Sequence, residues 1–553
     1  MSKNLNNVTN EIKKILKEIK LDFDPIIEIP RNDSNGHFAT NVAMVAAKSL
    51  GKNPREIATI IADKLIATKK FEAIEVAGPG FINIKLKHKE IALILEEALA
   101  KKDQYGAGEP KNFTYNLEIV SANPTGYLHV GHARNGTIGD AVARILKFNG
   151  YKVQTEYYTN DAGNQINILA ITVFVHYLRE LGISAELPED SYSGEAYEIV
   201  AKEFVAQYGD QFKNIEYKDK EICDEKVMKI FKEKSTEFFM KIIKKQLVDF
   251  GVEIEHFSSE KAMYDEKRIE KLLENYKNMD ATYEKDGAVW LKTTAFQDDK
   301  DRVLVKSTGD YTYITPDLAT HEERLRRSKA DKLINFWGGD HHGYIVRMRA
   351  GLSLLGAPEN CLDIDMIQMV RLVKDGKEYK MSKRKGTAIW LIDLLELVGK
   401  NSLRYMLASK TPSSHMDFDL DIVTKKNSSN PVYYAQYATA RSNKVIQQAK
   451  EQNILEVTKD FDLLTEEKEV QLLLTLDRFA KNVDYAAKER LPHIICDYIQ
   501  TLTKQFHSYY SEFKIIDIEH PKLSSQRVAL TKGVYQTLSN ALKLIAVDII
   551  DEM

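Results

Sequence analysis

Between residues 115 and 158 the hydrophobic period changes twice, and that change limits the possible folds more than any other feature. Residues 115–120 (YNLEIV) form a short apolar run of strand length. The loop Ser121-Ala122-Asn123-Pro124-Thr125-Gly126 follows. From His129 to Asn149 apolar residues recur at helical spacing (Val130, Ala133, Ile138, Val142, Ile145, Leu146), and Gly150 stands where a helix-ending residue belongs. Residues 153–158 (VQTEYY) read as a second strand. Strand, loop, helix and strand of this length imply a right-handed crossover and a parallel sheet. The pattern returns at residues 333–337, with Gly338-Gly339 and a helix running through Leu355 to Gly356.

The rest arranges itself around that sheet. Residues 8–19 and 54–65 have helical spacing. Residues 74–76 and 81–86 alternate around Ala77-Gly78-Pro79-Gly80, a predicted hairpin, and a Gly-rich linker follows at residues 105–110. A Lys/Glu-rich helical insertion interrupts the sheet at about residues 168–258. Residues 366–373 and the turn Asp375-Gly376 predict a second hairpin, leading into Lys380-Met381-Ser382-Lys383-Arg384-Lys385-Gly386. Helical periodicity then runs nearly unbroken to Met553. The expected fold class is multidomain α/β. An α+β unit (1–112) precedes a Rossmann-like parallel-sheet domain (113–365), a connecting region (366–400) and an α-helical bundle (401–553).

Composition sets limits on function. With 78 Lys and Arg against 81 Asp and Glu, the net charge of −3 announces no nucleic-acid partner and excludes none, since a phosphate backbone needs only a local basic surface. No apolar run reaches the roughly 20 residues of a membrane helix. The start, MSKNLNNVTN, lacks a signal-peptide core. The three cysteines, Cys223, Cys361 and Cys496, are far apart, which argues against a disulfide framework or a Cys-rich zinc site. A cytoplasmic protein without a membrane partner is expected.

Two motifs carry chemistry. In His129-Val130-Gly131-His132, two imidazoles three residues apart share one face at a helix N-terminus, where anions are favoured. Gly131 lets a flat ring approach the backbone. The pair suits the phosphates and base of a nucleotide; the structural alternative is two histidines that only cap the helix. In residues 380–385, four of six side chains are cationic. Mobile ammonium groups suit a pyrophosphate leaving group, and a solvated basic loop is the plain alternative. Gly338, Gly339, Asp340 and His341 end the other central strand, where ligands of such sheets bind. His341 and His342 lack an evident third metal ligand, so no metal site and no structural zinc are expected.

Taken together and in this order, HVGH and KMSKR resemble the HIGH and KMSKS motifs of class I aminoacyl-tRNA synthetases. The stretch LEIVSANPTGYLHVGHARN (117–135) resembles the arginyl-tRNA synthetases, the bacterial type in particular. So do VAGPGFINI (76–84), YYTNDAGNQI (157–166), YTYITPDLATHEERL (311–325), FWGGDHHGYIVRM (336–348) and NPVYYAQYATAR (430–441). The resemblance spans the chain. It departs at Tyr127, where proline is common, at Thr439, where histidine is common, and at Arg384, where the motif has serine.

The resemblance implies arginine activation by ATP with Mg²⁺, transfer to the 3′-terminal adenosine of tRNA(Arg), and a monomer. It makes the HIGH region Ala122, Asn123, Pro124, Thr125, Gly126, Tyr127, Leu128, His129, Val130, Gly131 and His132. His129, His132, Lys380 and Lys383 become catalytic. ATP falls to His129, Gly131, His132, Gly339, Asp340, His341, Met381, Ser382 and Lys383. Tyr313 and Asp317 hold the guanidinium; Glu118, Ser121, Asn123 and His341 complete the arginine site. Without the resemblance, Asp317 reads as a helix N-cap, and Glu118 as a surface charge or a carboxylate needing a cationic partner. tRNA contacts fall to Phe81 and Asn83 in the first unit. In the bundle they fall to Tyr434, Tyr437, Arg441 and Met553, with Phe506, Tyr509 and Tyr510 as lesser candidates. An aromatic stripe of this kind is otherwise most often core.

Overall fold

The computed structural model describes residues 3–28, 30, 35–339, 342–379 and 389–553. Asp340, His341 and the basic segment with Lys380, Met381, Ser382, Lys383 and Arg384 lie outside the described residues.

In the N-terminal unit, helices Lys3–Glu18, Val42–Leu50, Pro54–Ala67 and His88–Lys101 accompany a four-stranded antiparallel sheet. The predicted hairpin is there: Phe71–Ala77 pairs with Phe81–Leu86, and Gly78 (φ 53°) and Gly80 (φ 129°) supply the left-handed backbone of the turn. Phe81 is half-buried at the last pair, while Asn83 lies in the strand and is only 8% exposed.

The centre is a five-stranded, all-parallel sheet. Its elements in chain order are β1 (Thr114–Glu118), α1 (Val130–Phe148), β2 (Lys152–Thr159), β3 (His256–Ser259), α2 (Ile314–Ser328), β4 (Lys332–Gly338), α3 (His342–Ser353) and β5 (Leu362–Ile367). Across the sheet the order is β5-β4-β1-β2-β3. Strand order reverses between β1 and β4: the chain runs outward from β1 to β2 and β3, then returns to add β4 and β5 on the other side of β1, and the crevice beyond those strand ends is where such sheets bind ligands. Helix α1 packs hard on this region: a Cβ added at Gly139 would come within 2.8 Å of Ile119 Cγ2. Helices Asn164–Glu180, Glu195–Tyr208 and Glu225–Phe250 separate β2 from β3 and bury a core of their own around Phe174, Tyr177 and Phe231.

The second hairpin needs correction. Met366 and Ile367 belong to β5, paired in parallel with β4, and the hairpin itself is Val370–Lys374 with Lys377–Glu378. Asp375 (φ 50°) and Gly376 (φ 70°) form its turn. Helix Leu391–Ala408 breaks at Gly399 (φ 74°). The bundle follows with α4 (Pro431–Glu451), α5 (Glu467–Glu489), α6 (His493–Glu512) and α7 (Pro521–Leu544). Asn430 caps α4, accepting from the amides of Val432 and Tyr433, with Pro431 at the first helical position.

Candidate active site and tRNA-facing surface

A cavity of about 700 Å³ opens at the reversal point. Its base is strained backbone. Val120 (φ 72°) and Ser121 (φ 48°) are both left-handed, costly for any residue with a Cβ and most of all for a β-branched one. Three contacts hold them. Val120 N donates to Asn135 Oδ1 (2.8 Å), Asn135 Nδ2 donates to the Phe336 carbonyl at the end of β4 (2.7 Å), and Tyr158 N donates to Ser121 Oγ (3.0 Å). Asn135 thus ties together the ends of the two central strands. Sequence reasoning missed it; the available signal was an amide three residues past His132, on the same helical face.

The two histidines form a capping box. His129 Nδ1 accepts from Gly131 N (3.0 Å), and His132 Nδ1 accepts from His129 N (3.2 Å). Their rings stack with centroids 3.6 Å apart. With both Nδ1 atoms accepting, each neutral ring carries its proton on Nε2. Burial lowers the pKa of His129; burial and then the His129 charge lower that of His132 to about 3. Both imidazoles line the cavity as neutral Nε2–H donors. The capping alternative and the ligand reading are therefore compatible, since capping consumes only Nδ1. Gly131 has a second reason beyond ring approach: its Cβ would fall 2.8 Å from His129 Cε1.

The other half of the cavity is acidic. Asp317 is not the N-cap of α2, a position held by Tyr313; it lies inside the helix and accepts from the Tyr344 hydroxyl. Burial first, and then the Glu118 charge, raise its pKa to about 6. Tyr313 lines the same cavity and is 92% exposed. Glu118 already has a cation. The fully buried Arg324 donates to Glu118 Oε2 (2.7 Å), Asn335 Oδ1 (2.7 Å) and, through Nε and Nη2, to Asn116 Oδ1 (3.0 and 2.7 Å). Asn335 Nδ2 donates to His321 Nε2 (2.8 Å), so His321 Nδ1–H donates to the Asp317 carbonyl (2.7 Å). One network therefore fixes Glu118 and the backbone of Asp317. Glu260, in a short helix after β3, is a further acid that sequence reasoning missed. Burial and the charges of Asp317 and Asp161 raise its pKa to about 7.

Not every expected residue reaches the cavity wall. Glu118, Ser121, His129, Gly131, His132, Tyr313, Asp317 and Gly338 line it. Asn123 instead donates to Gln165, and Tyr197 Oη of the insertion holds the Thr125 carbonyl (2.6 Å). Gly339 is exposed, with φ 83°. Residues 389–391 are anchored on the histidine motif: Val130 N donates to the Ile389 carbonyl (3.1 Å), and Leu391 N to that of Leu128 (2.7 Å). Among the described residues no group of three or more His, Cys, Asp or Glu is arranged to hold a metal ion.

In the bundle, Tyr434, Tyr437 and Arg441 converge as their spacing predicts, around a residue the sequence did not single out, His507. The His507 ring stacks on Tyr434 (4.3 Å) and Tyr437 (5.5 Å). Its Nδ1 accepts from Arg441 (3.0 Å), and the guanidinium lies between the rings of Tyr437 (4.4 Å) and Tyr510 (4.3 Å). Burial pushes the His507 pKa down to about 4, so it is neutral. Phe506 and Tyr509 are fully buried core residues, a correction to their expected place on the surface. Met553 is 55% exposed.

Comparison with known proteins shows the family. Residues 94–448 match the model of the tRNA synthetases class I (R) catalytic domain. The fold is that of a class I aminoacyl-tRNA synthetase. Residues 6–86 match the arginyl tRNA synthetase N-terminal domain, and residues 435–553 the DALR anticodon binding domain. The arginine–tRNA ligase of Mesoplasma florum is 54% identical over 553 residues, covering 99% of this chain and 100% of that protein. That of Staphylococcus aureus is 43% identical over 534 residues, 95% and 94% of the two chains. A solved structure of a putative arginyl-tRNA synthetase from Campylobacter jejuni superposes with a TM-score of 0.76 at 32% identity, covering 85% of this chain and all of that one. The chain belongs to the arginyl-tRNA synthetase family.

Proposed function

We propose that this chain activates L-arginine in the cavity between β1 and β4 and transfers it to tRNA(Arg). The arginine carboxylate attacks the α-phosphate of ATP; an acyl–phosphate bond forms, a phosphoanhydride bond breaks, and pyrophosphate leaves. A ribose hydroxyl of the tRNA's terminal adenosine then takes the acyl group and AMP leaves. Neither step needs a protein nucleophile, so the work is positioning and charge stabilisation. The observation that carries this reading is one cavity with two unlike halves: paired neutral Nε2–H donors for phosphoryl oxygens, and buried carboxyls for a cationic side chain. We place ATP over β4 and β5, and arginine over β1 and β2.

A guanidinium is permanently charged and offers a planar fork of donors. Asp317, steadied by Tyr344, is its counter-ion, with Glu260 and Tyr313 beside it. Glu118, already held by Arg324, faces the substrate's ammonium end with Ser121. Lys380 and Lys383 neutralise the leaving pyrophosphate. Gly339, Asp340, His341, Met381 and Ser382 complete the nucleotide site. Mg²⁺, carried by ATP, would supply charge neutralisation at the phosphates. Tyr434, Tyr437 and Arg441 offer stacking faces to anticodon bases, Met553 adds to that surface, and the hairpin of Phe81 and Asn83 takes a D-loop base. No helix among the described residues is long and apolar enough to cross a membrane; we place the enzyme in the cytoplasm as a monomer. Charging of tRNA with each amino acid in turn tests the reading. Arginine alone should be joined, and pyrophosphate exchange should need tRNA. Charging with a different amino acid, or none, refutes it.

A further inference from the structure

Two residues past the second imidazole stands a buried guanidinium with no carboxylate partner among the described residues. Arg134 of α1 is fully buried. Its Nη1 donates to the carbonyls of Gln368 (2.7 Å) and Met369 (3.3 Å), and its Nη2 to that of Thr411 (3.0 Å), while Nε has no partner. Burial lowers its pKa to about 10, so it remains a cation at neutral pH. Holding a charge on carbonyl dipoles alone is expensive, and an apolar side chain would fill the space without that cost. The position therefore uses the fork itself.

What the fork joins is specific. Gln368 and Met369 directly follow β5 and line the cavity. They are stitched to the segment of Thr411: Gln368 N donates to the Pro412 carbonyl (3.0 Å), and Met416 N to that of Met369 (3.4 Å). Arg134 is thus a direct polar tie from the helix bearing His129 and His132 to the wall over β5, on the far side of β4 from β1.

We propose that Arg134 is a positioning residue for the nucleotide: it fixes the distance between the imidazole pair and the backbone wall at residues 367–369, and so the width of the half-cavity that takes ATP. This rests on assigning ATP to that half. Lysine should not replace it, because an ammonium is a point donor that cannot span carbonyls of two segments.

The test is steady-state aminoacylation by the full-length enzyme at saturating tRNA, with Arg134→Lys and Asp317→Asn measured side by side. Arg134→Lys should raise the KM for ATP about tenfold or more, with the KM for arginine changed less than about threefold. Asp317→Asn should show the opposite split. A scaffold role alone would move both KM values together, or neither, and either outcome overturns the proposal. If Asp317→Asn shifts arginine while Arg134→Lys leaves ATP untouched, this inference fails and the proposed function survives. If neither variant shifts its own substrate, the assignment of the halves fails first. Should Arg134→Lys not accumulate folded, hydrogen exchange on the wild-type enzyme decides. The amides of Gln368 and Met416 should exchange as slowly as those of α1, and exchange at exposed-loop rates would overturn the tie.

Discussion

Arginine should bind with release of a proton, and its affinity should fall in acid. In the free enzyme the pKa of Asp317 is raised to about 6 by burial and by the Glu118 charge. The substrate guanidinium needs this carboxyl ionised. The direction follows: lowering the pH through 6 protonates Asp317 and removes the counter-ion, while the guanidinium itself does not titrate. At pH 7.5 about 97% of the carboxyl is ionised and at pH 5 about 9%, so the dissociation constant should rise about tenfold between them. At pH 6 about half a proton should leave per arginine bound. Isothermal titration of arginine in buffers of differing ionisation enthalpy measures both quantities. Asp317→Asn should weaken arginine by roughly 2–5 kcal/mol, the usual cost of stranding one partner of a charge pair, and should remove the part of the pH dependence centred near pH 6. Proton release that survives in the variant belongs to Glu260, whose pKa is raised to about 7. An arginine affinity that is flat from pH 7.5 to pH 5 in the wild type refutes the reasoning.

Three other outcomes follow from the same contacts. Arg324→Met strands the half-buried Glu118 and takes a cation from the fully buried Glu156 3.7 Å away, a loss of about 3–5 kcal/mol, so the catalytic region should melt on the order of 10 °C lower; adding Glu118→Gln should recover part of this, and an unchanged melting temperature counts against the network. His132→Ala removes a neutral donor and should slow adenylate formation about 10²–10³-fold in single-turnover assays; because the wild-type ring has a pKa of about 3, that factor should be constant from pH 5.5 to 8. Arg441→Ala breaks the stack between Tyr437 and Tyr510 and should weaken tRNA binding in filter assays by about 1–3 kcal/mol, with the KM for ATP unchanged.

How much was legible in advance depended on where each element sits. β1, β2 and β4 are central and read as apolar runs, and α1 carries a clean helical period, so the reversal point and its imidazoles could be found from spacing alone. β5 was misread because it is an edge strand. Its alternating Leu-Asp-Ile-Asp-Met-Ile looks like a hairpin arm, yet Asp363 pairs with Lys332 and Arg349, and Asp365 with Arg490. β3, also at an edge, is a polar His-Phe-Ser-Ser segment with no strand period. Within the site, the residues carried over from the family motifs were visible, and their partners were not. Arg134, Asn135 and Arg324 sit mid-helix, where polar side chains usually face water, and only the fold turns them inward. Of the two plain readings of Glu118, a surface charge or a carboxylate needing a cation, the structure bears out the second, but a strand gives no hint that the cation lies on α2. His507 stayed hidden because its role arises between two helices distant in sequence.

The most direct test is a crystal structure with a non-hydrolysable arginyl-adenylate analogue. The guanidinium should lie within hydrogen-bond distance, about 2.7–3.1 Å, of the Asp317 carboxylate, with the phosphate-equivalent oxygens facing Nε2 of His129 and His132. A guanidinium bound away from Asp317, or a phosphate group out of reach of both imidazoles, would contradict the account.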